Sequence, residues 1–177
     1  MRFRGSGEPG EPVEWVGAWR AAARGGQNGG VSDTVIQDWA ARVRMTIPSS
    51  GPDVVRGWGD METAFEVRRH HGRFAVVKSD HGTARIAGTF QNEADADRYL
   101  LLLFANAWRS EQRRPALWQE DPAPGTTIDE GPTSIDLTWP TGEAEFPTGR
   151  VGRAAAVQYS HASGKSLAAI SAALLAD

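Results

Sequence analysis

Three groups of residues have types suited to chemistry: the run HASGKS from His161 to Ser166, the four histidines, and paired carboxylates. HASGKS sits between an expected strand and an expected helix, where a phosphate-binding loop would lie. Such a loop needs a glycine five residues before Gly164, and Tyr159 stands there instead. The run therefore reads as a helix start with an exposed Lys165. His70 and His71 fall on one expected hairpin turn and His81 on the next. About eight strand residues separate the two turns, which places them roughly 25 Å apart. No histidine pair has helical ligand spacing and no carboxylate cluster completes a set, so no metal site is expected. Ser160 and His161 are neighbours on an expected strand, point to opposite faces and lack a nucleophile-elbow pattern. Glu143 and Glu145 share one face of a short strand, opposite Ala144 and Phe146. That is the pattern of a solvated face, although a small enzyme using a carboxylate pair stays as an alternative. No catalytic residue and no cofactor are assigned.

What remains is equipment for binding. Between Pro115 and Pro132 lies an expected loop with four carboxylates, Glu120, Asp121, Asp129 and Glu130. Its prolines limit its freedom and lower the cost of ordering it on a partner. Trp118 beside Glu120 and Asp121 is either an aromatic anchor next to negative charge or a side chain folded back into the core. Trp58 between Gly57 and Gly59 has the same two options, reaching out or tucking inward.

These residues must be positioned by an α+β arrangement. The strongest element is a helix from Asn92 to about Arg113, with Asn92 as N-cap and acids in the first turns. Arginines lie at its far end. Tyr99, Leu100, Leu103, Phe104, Ala107 and Trp108 share one face of it. Leu102 projects the other way, towards a second packing layer, towards solvent or towards a partner. Before it, a short helix from Val13 to Arg24 carries Trp15 and Trp19, and Gly25–Gly30 reads as a linker. Ser32 caps a further helix with Val35, Ile36, Trp39, Ala40 and Val43 on one side, and Pro48–Gly59 is expected as a loop. A meander of three strands then turns at His71-Gly72 and at His81-Gly82. After the long helix, a second meander is expected from Thr133, through Ile135, Leu137 and Trp139, then Ala144 and Phe146. Its third strand is expected over Arg153–Tyr159. Ser163 caps a last helix with Leu167, Ile170 and Leu174. The expected fold is thus α+β: an antiparallel sheet from two three-stranded meanders, each followed by a helix, with a preceding N-terminal helix. Residues 1–30 form a flexible or weakly ordered segment and 31–177 a single domain.

The chain has 177 residues, enough to bury a core without staples, and no cysteine, which excludes disulfides and thiolate metal sites. A net charge of -3 argues against a nucleic-acid surface. No apolar run approaches the roughly 20 residues of a membrane span. Arg2 and Arg4 lack an apolar signal-peptide core behind them, so a cytoplasmic protein is expected.

Three stretches together resemble a family of actinobacterial polymorphic-toxin immunity proteins. They are Trp39-Ala40-Ala41, the meander from Glu62 to Thr89, and the run DADRYLLLLF from Asp95 to Phe104. The likeness covers roughly residues 32 to 177 and rests on packing motifs. It implies an antitoxin without enzymatic activity that binds a cognate secreted NAD-hydrolysing toxin one-to-one and blocks its active site. It supplies no inhibitory residue position by position. The residues point to Trp58, Trp118, Glu120, Asp121, Asp129 and Glu130 as the partner-binding set. The alternative is a secretion-chaperone-like domain that dimerises through the long helix at Leu102.

Overall fold

Strand alternation and helical spacing are laid out as follows in a computed structural model, which describes residues 31–176 apart from 116, 118 and 119. The expected helix at Val13–Arg24, the linker after it and Trp118 lie outside the described residues. Helix α1 (Val31–Arg42) leads to strands β1 (Ile47–Pro48), β2 (Val54–Gly59), β3 (Thr63–His70), β4 (Arg73–Asp80) and β5 (Thr83–Phe90). Helix α2 (Glu93–Glu111) comes next, then β6 (Thr127–Glu130), β7 (Ser134–Trp139) and β8 (Gly142–Pro147). Helices α3 (Arg150–Ser160) and α4 (Leu167–Ala176) follow. The strands form one antiparallel sheet in the order β1-β2-β3-β4-β5-β8-β7-β6. The fold is therefore α+β on an antiparallel sheet.

The hairpin turns fall where the sequence places them. His71 and Gly72 have φ of 48° and 76°, and His81 and Gly82 have 48° and 81°. Two consecutive left-handed residues suit the twist of a tight hairpin, with glycine taking the second position at no steric cost. At the head of α2 the Asn92 side chain accepts from the Asp95 backbone N–H at 2.9 Å. The helix ends at Glu111, two residues short of the expected Arg113, whose φ of 53° cannot continue it. Its Leu100, Leu101, Phe104 and Ala105 are fully buried. Leu102 is buried as well, because α1 and α4 pack on α2 and supply the second layer. A helix face closed in this way offers no dimer contact through Leu102.

Five expectations are corrected. The stretch Pro48–Gly59 is not all loop, since β2 occupies its second half and pairs with β3 across an irregularity between Val54 and Arg56. The stretch Pro115–Pro132 is not all loop either, since Thr127–Glu130 is edge strand β6. Arg153–Tyr159 is helix α3 rather than a third strand of the second meander. Its buried Gly152, Ala156, Tyr159 and Ser160 recur at helical spacing, and its run of alanines favours helix. Gly152 is required there, because a Cβ would sit 1.6 Å from the Pro147 carbonyl oxygen at the end of β8. The cap expected at Ser32 also moves, since α1 already includes that residue. So does the cap of α4. Ser166 Oγ accepts from the Ala169 N–H at 3.2 Å, while Ser163 Oγ donates to the Ser160 carbonyl at 2.8 Å.

Among the described residues, two pairs join the halves of the sheet, Thr89 with Glu145 and Phe90 with Ala144. The joint is closed from the helix side by aromatic rings. Phe90 lies 5.4 Å from Tyr99, 5.8 Å from Phe146 and 5.0 Å from Tyr159 between ring centroids. Helices α2 and α3 thus rest on the same seam through Tyr99 and Tyr159.

Candidate protein-docking face

Strand alternation on the second half of the sheet separates two chemistries. Ile135, Leu137, Trp139, Ala144 and Phe146 point to the helices and are buried. Asp136, Thr138 and Glu145 point the other way and are exposed, with Glu143 half-buried beside them. Pairing then aligns the acids. Asp129 of β6 lies directly opposite Asp136 of β7, and Asp136 lies opposite Glu145 of β8. Directly opposed side chains stand about 4.5–5.5 Å apart at Cβ, and like charges so placed are destabilising. Glu143, one position along, is met by Arg73 at 3.4 Å. Among the described residues no cation stands within ion-pair distance of Asp129, Asp136 or Glu145.

The residues expected from sequence divide between several places. Asp129 is in the acidic row. Glu130, its neighbour, points to the helix side and pairs with Arg153 of α3 at 2.7 Å. Glu120 and Asp121 are exposed on the loop that feeds β6. That loop is pinned to the end of α3: His161 Nε2–H donates to the Asp121 carbonyl at 2.9 Å, and the Ala123 N–H donates to Ser160 Oγ at 2.8 Å. Trp58 tucks inward, half-buried, with its ring 6.3 Å from that of Phe104. It is six strands from β6, roughly 29 Å across the sheet. The structure does not bring Trp58 and the acidic loop together. Asp136 and Glu145 were missed as binding residues because sequence shows that they are exposed but not which strands lie side by side.

Groups with catalytic character occupy structural posts. Asp95, 3% exposed, accepts from Tyr159 Oη at 2.7 Å, Arg98 Nη1 at 2.5 Å and Asn92 Nδ2 at 2.7 Å. Burial, and then the Asp95 carboxylate, push the Tyr159 phenol well above its ordinary pKa, so it stays a hydrogen-bond donor. Arg98 Nε also donates to the Lys165 carbonyl at 2.5 Å, which ties the HASGKS turn to α2. Arg56 of β2 reaches the first turns of α2, pairing with Glu93 and with Asp97 at 3.3 Å. These contacts fasten α2, α3 and the turn before α4. Among the described residues no three His, Asp or Glu side chains gather as metal ligands would. No helix among them is long and apolar enough to cross a membrane.

His81 forms a small pH-dependent clip. Its ring lies 2.7 Å from Asp80 and 3.5 Å from Glu62. The Asp80 hydrogen bond first, and then the Glu62 charge, raise the imidazole pKa above its ordinary 6.5. A folded pKa above the unfolded one contributes stability that is full below about 6.5 and is lost as pH rises through the raised value. His81→Gln should therefore lower the melting temperature slightly at mildly acid pH, and the gap should close at alkaline pH. A gap independent of pH would show that the clip contributes nothing.

The fold is similar to that of Rv3902c from M. tuberculosis, at 20% identity and a TM-score of 0.63, over 80% of this chain and 87% of that one. At that identity the likeness speaks for the fold alone. No curated protein matches the chain. The family model described as Immunity protein 61 matches residues 39–177, and the chain therefore belongs to that family of immunity proteins.

Proposed function

We propose that this immunity protein is a cytoplasmic antitoxin without enzymatic activity, and that it neutralises an NAD-hydrolysing toxin domain by binding it one-to-one over its active-site cleft. Family membership supports a toxin partner. The choice of an NAD-degrading toxin rests on the resemblance carried by Trp39-Ala40-Ala41, Glu62–Thr89 and Asp95–Phe104. The observation that bears on mechanism is the row Asp129–Asp136–Glu145. Three exposed carboxylates opposed on adjacent strands, with no cation beside them among the described residues, cost stability in the free protein. A cleft built for an anionic dinucleotide presents basic groups, and meeting them relieves that repulsion. Glu120 and Asp121, on the loop pinned by Ser160 and His161, extend the charge beyond the strand edge. Trp118 on the same loop is the proposed anchor that settles the docked complex.

Co-expression with a tagged NAD-hydrolysing toxin domain tests the reading. The two chains should co-purify in equimolar amounts and the cells should keep their NAD. Recovery of the toxin alone would overturn the proposal. Self-association of the isolated chain would favour the chaperone-like alternative. The burial of Leu102 removes the dimer contact that this alternative relied on.

A further inference from the structure

The sheet ends in two edges of different build, β1 and β6. Strand β1 is two residues long, and its Pro48 has no N–H to offer. Very short strands and prolines are the usual means of blunting an edge against other chains. Strand β6 is four residues long and holds no proline, and its Thr127, Asp129 and Glu130 are exposed. Among the described residues it pairs on one side alone, with β7 in unbroken register. The Gly131 N–H donates to the Ser134 carbonyl at 2.9 Å, which fixes the phase of this ladder. In an antiparallel pair, residues that exchange hydrogen bonds alternate with residues that do not. Thr127 and Asp129 therefore bond to β7, while Ile128 and Glu130 turn their N–H and C=O towards the free edge. Among the described residues no hydrogen bond occupies those outward groups. The strand is also held in place. Upstream of it, the Thr126 N–H and Oγ1 both donate to the Ala123 carbonyl, at 3.2 and 2.6 Å. Ala123 is itself pinned to Ser160. A preformed edge loses little freedom when another strand joins it.

We propose that β6 is extended by a strand of the toxin, a segment whose side chains alternate between basic and apolar. This mode of docking rests on the toxin partner proposed above and states how that partner is held. The alternation follows from the two faces of β6. On the outer face, the incoming residue opposite Asp129 meets a carboxylate with Asp136 one strand behind it. Lys or Arg there forms a cross-strand pair of opposite charge. On the helix side, the incoming residue beside Ile128 meets a half-buried side chain that packs on the core opposite Leu137. An apolar residue there extends the core past the edge. Main-chain hydrogen bonds to Ile128 and Glu130 give affinity, and the alternating side chains give specificity. A second copy of this chain is the wrong occupant, because its own β6 would bring like charge to the acidic row.

Two variants of the full chain isolate the backbone contact. Glu130→Ala and Glu130→Pro both remove the exposed carboxylate and its pair with Arg153. The proline alone also removes the outward N–H and sets a ring in the path of an added strand. Proline is tolerated on the open side of an edge strand, so the variant should keep its fold, as circular dichroism will show. Its Kd for an NAD-hydrolysing toxin domain should rise about ten-fold or more above that of Glu130→Ala. Amide exchange followed by NMR on the parental chain gives a second readout, which decides alone if the proline variant unfolds. Toxin binding should slow exchange at Ile128 and Glu130 by about a hundred-fold. A complex that treats both variants alike, or leaves these amides exchanging as in the free chain, would overturn strand addition and leave the toxin reading standing. No complex with the parental chain would overturn both. Slow exchange at the same amides in a free dimer would assign the edge to a second copy and also overturn the proposal.

Discussion

Leu100→Ala is expected to cost about 2–5 kcal/mol, the combined loss of transfer free energy and of packing around the cavity left behind. Leu100 is fully buried in α2, the helix against which α1, α4 and strands β3–β5 are packed. A loss of that size is a large fraction of the roughly 5–15 kcal/mol that holds a typical domain folded. Urea unfolding followed by circular dichroism should show a lower midpoint with an unchanged slope. Leu102→Ala should behave in the same way, because Leu102 is buried in the second layer rather than displayed. A midpoint within error of the parent for both variants would remove α2 from the centre of the fold.

The second large effect concerns association. Replacing Asp129 and Asp136 by Asn and Glu145 by Gln keeps the size of each side chain and removes the charge. If the row steers a basic cleft, toxin association should slow by about one to three decades at low salt, and the difference should shrink as salt rises. The free triple variant should be no less stable than the parent, since a cross-strand repulsion has been relieved. Those two outcomes together separate a docking role from a folding role. A folded triple variant with parental association kinetics would place the toxin elsewhere on the surface.

Legibility from sequence followed the range of the interactions. Helix α2 was readable because its cap at Asn92, acidic first turn and apolar spacing are all local. The hairpins at His71-Gly72 and His81-Gly82 were readable for the same reason. Strand β2 was hidden by Gly57 and Gly59, which look like loop residues. They are small because added side chains would press on Phe65, Glu66 and Ala64 of β3. The stretch 153–159 fits either period over so few residues. What decides for helix is its packing on β7 and β8, which is tertiary. The exposure of Asp136 and Glu145 was legible from alternation, but their alignment with Asp129 depends on β8 lying between β5 and β7. Strand order is set by long-range packing, and no local pattern records it.

On the proposed reading, this immunity protein silences an NAD-hydrolysing toxin by occupying its cleft with the acidic face. The most direct measurement is a titration of the purified chain into a fixed amount of such a toxin domain while NAD loss is followed. Hydrolysis should fall in proportion to added protein and stop at equimolar amounts. The charge-neutralised triple variant should reach the same end only at higher concentration or longer incubation. NAD loss that continues undiminished under a clear excess of the folded protein would contradict the account.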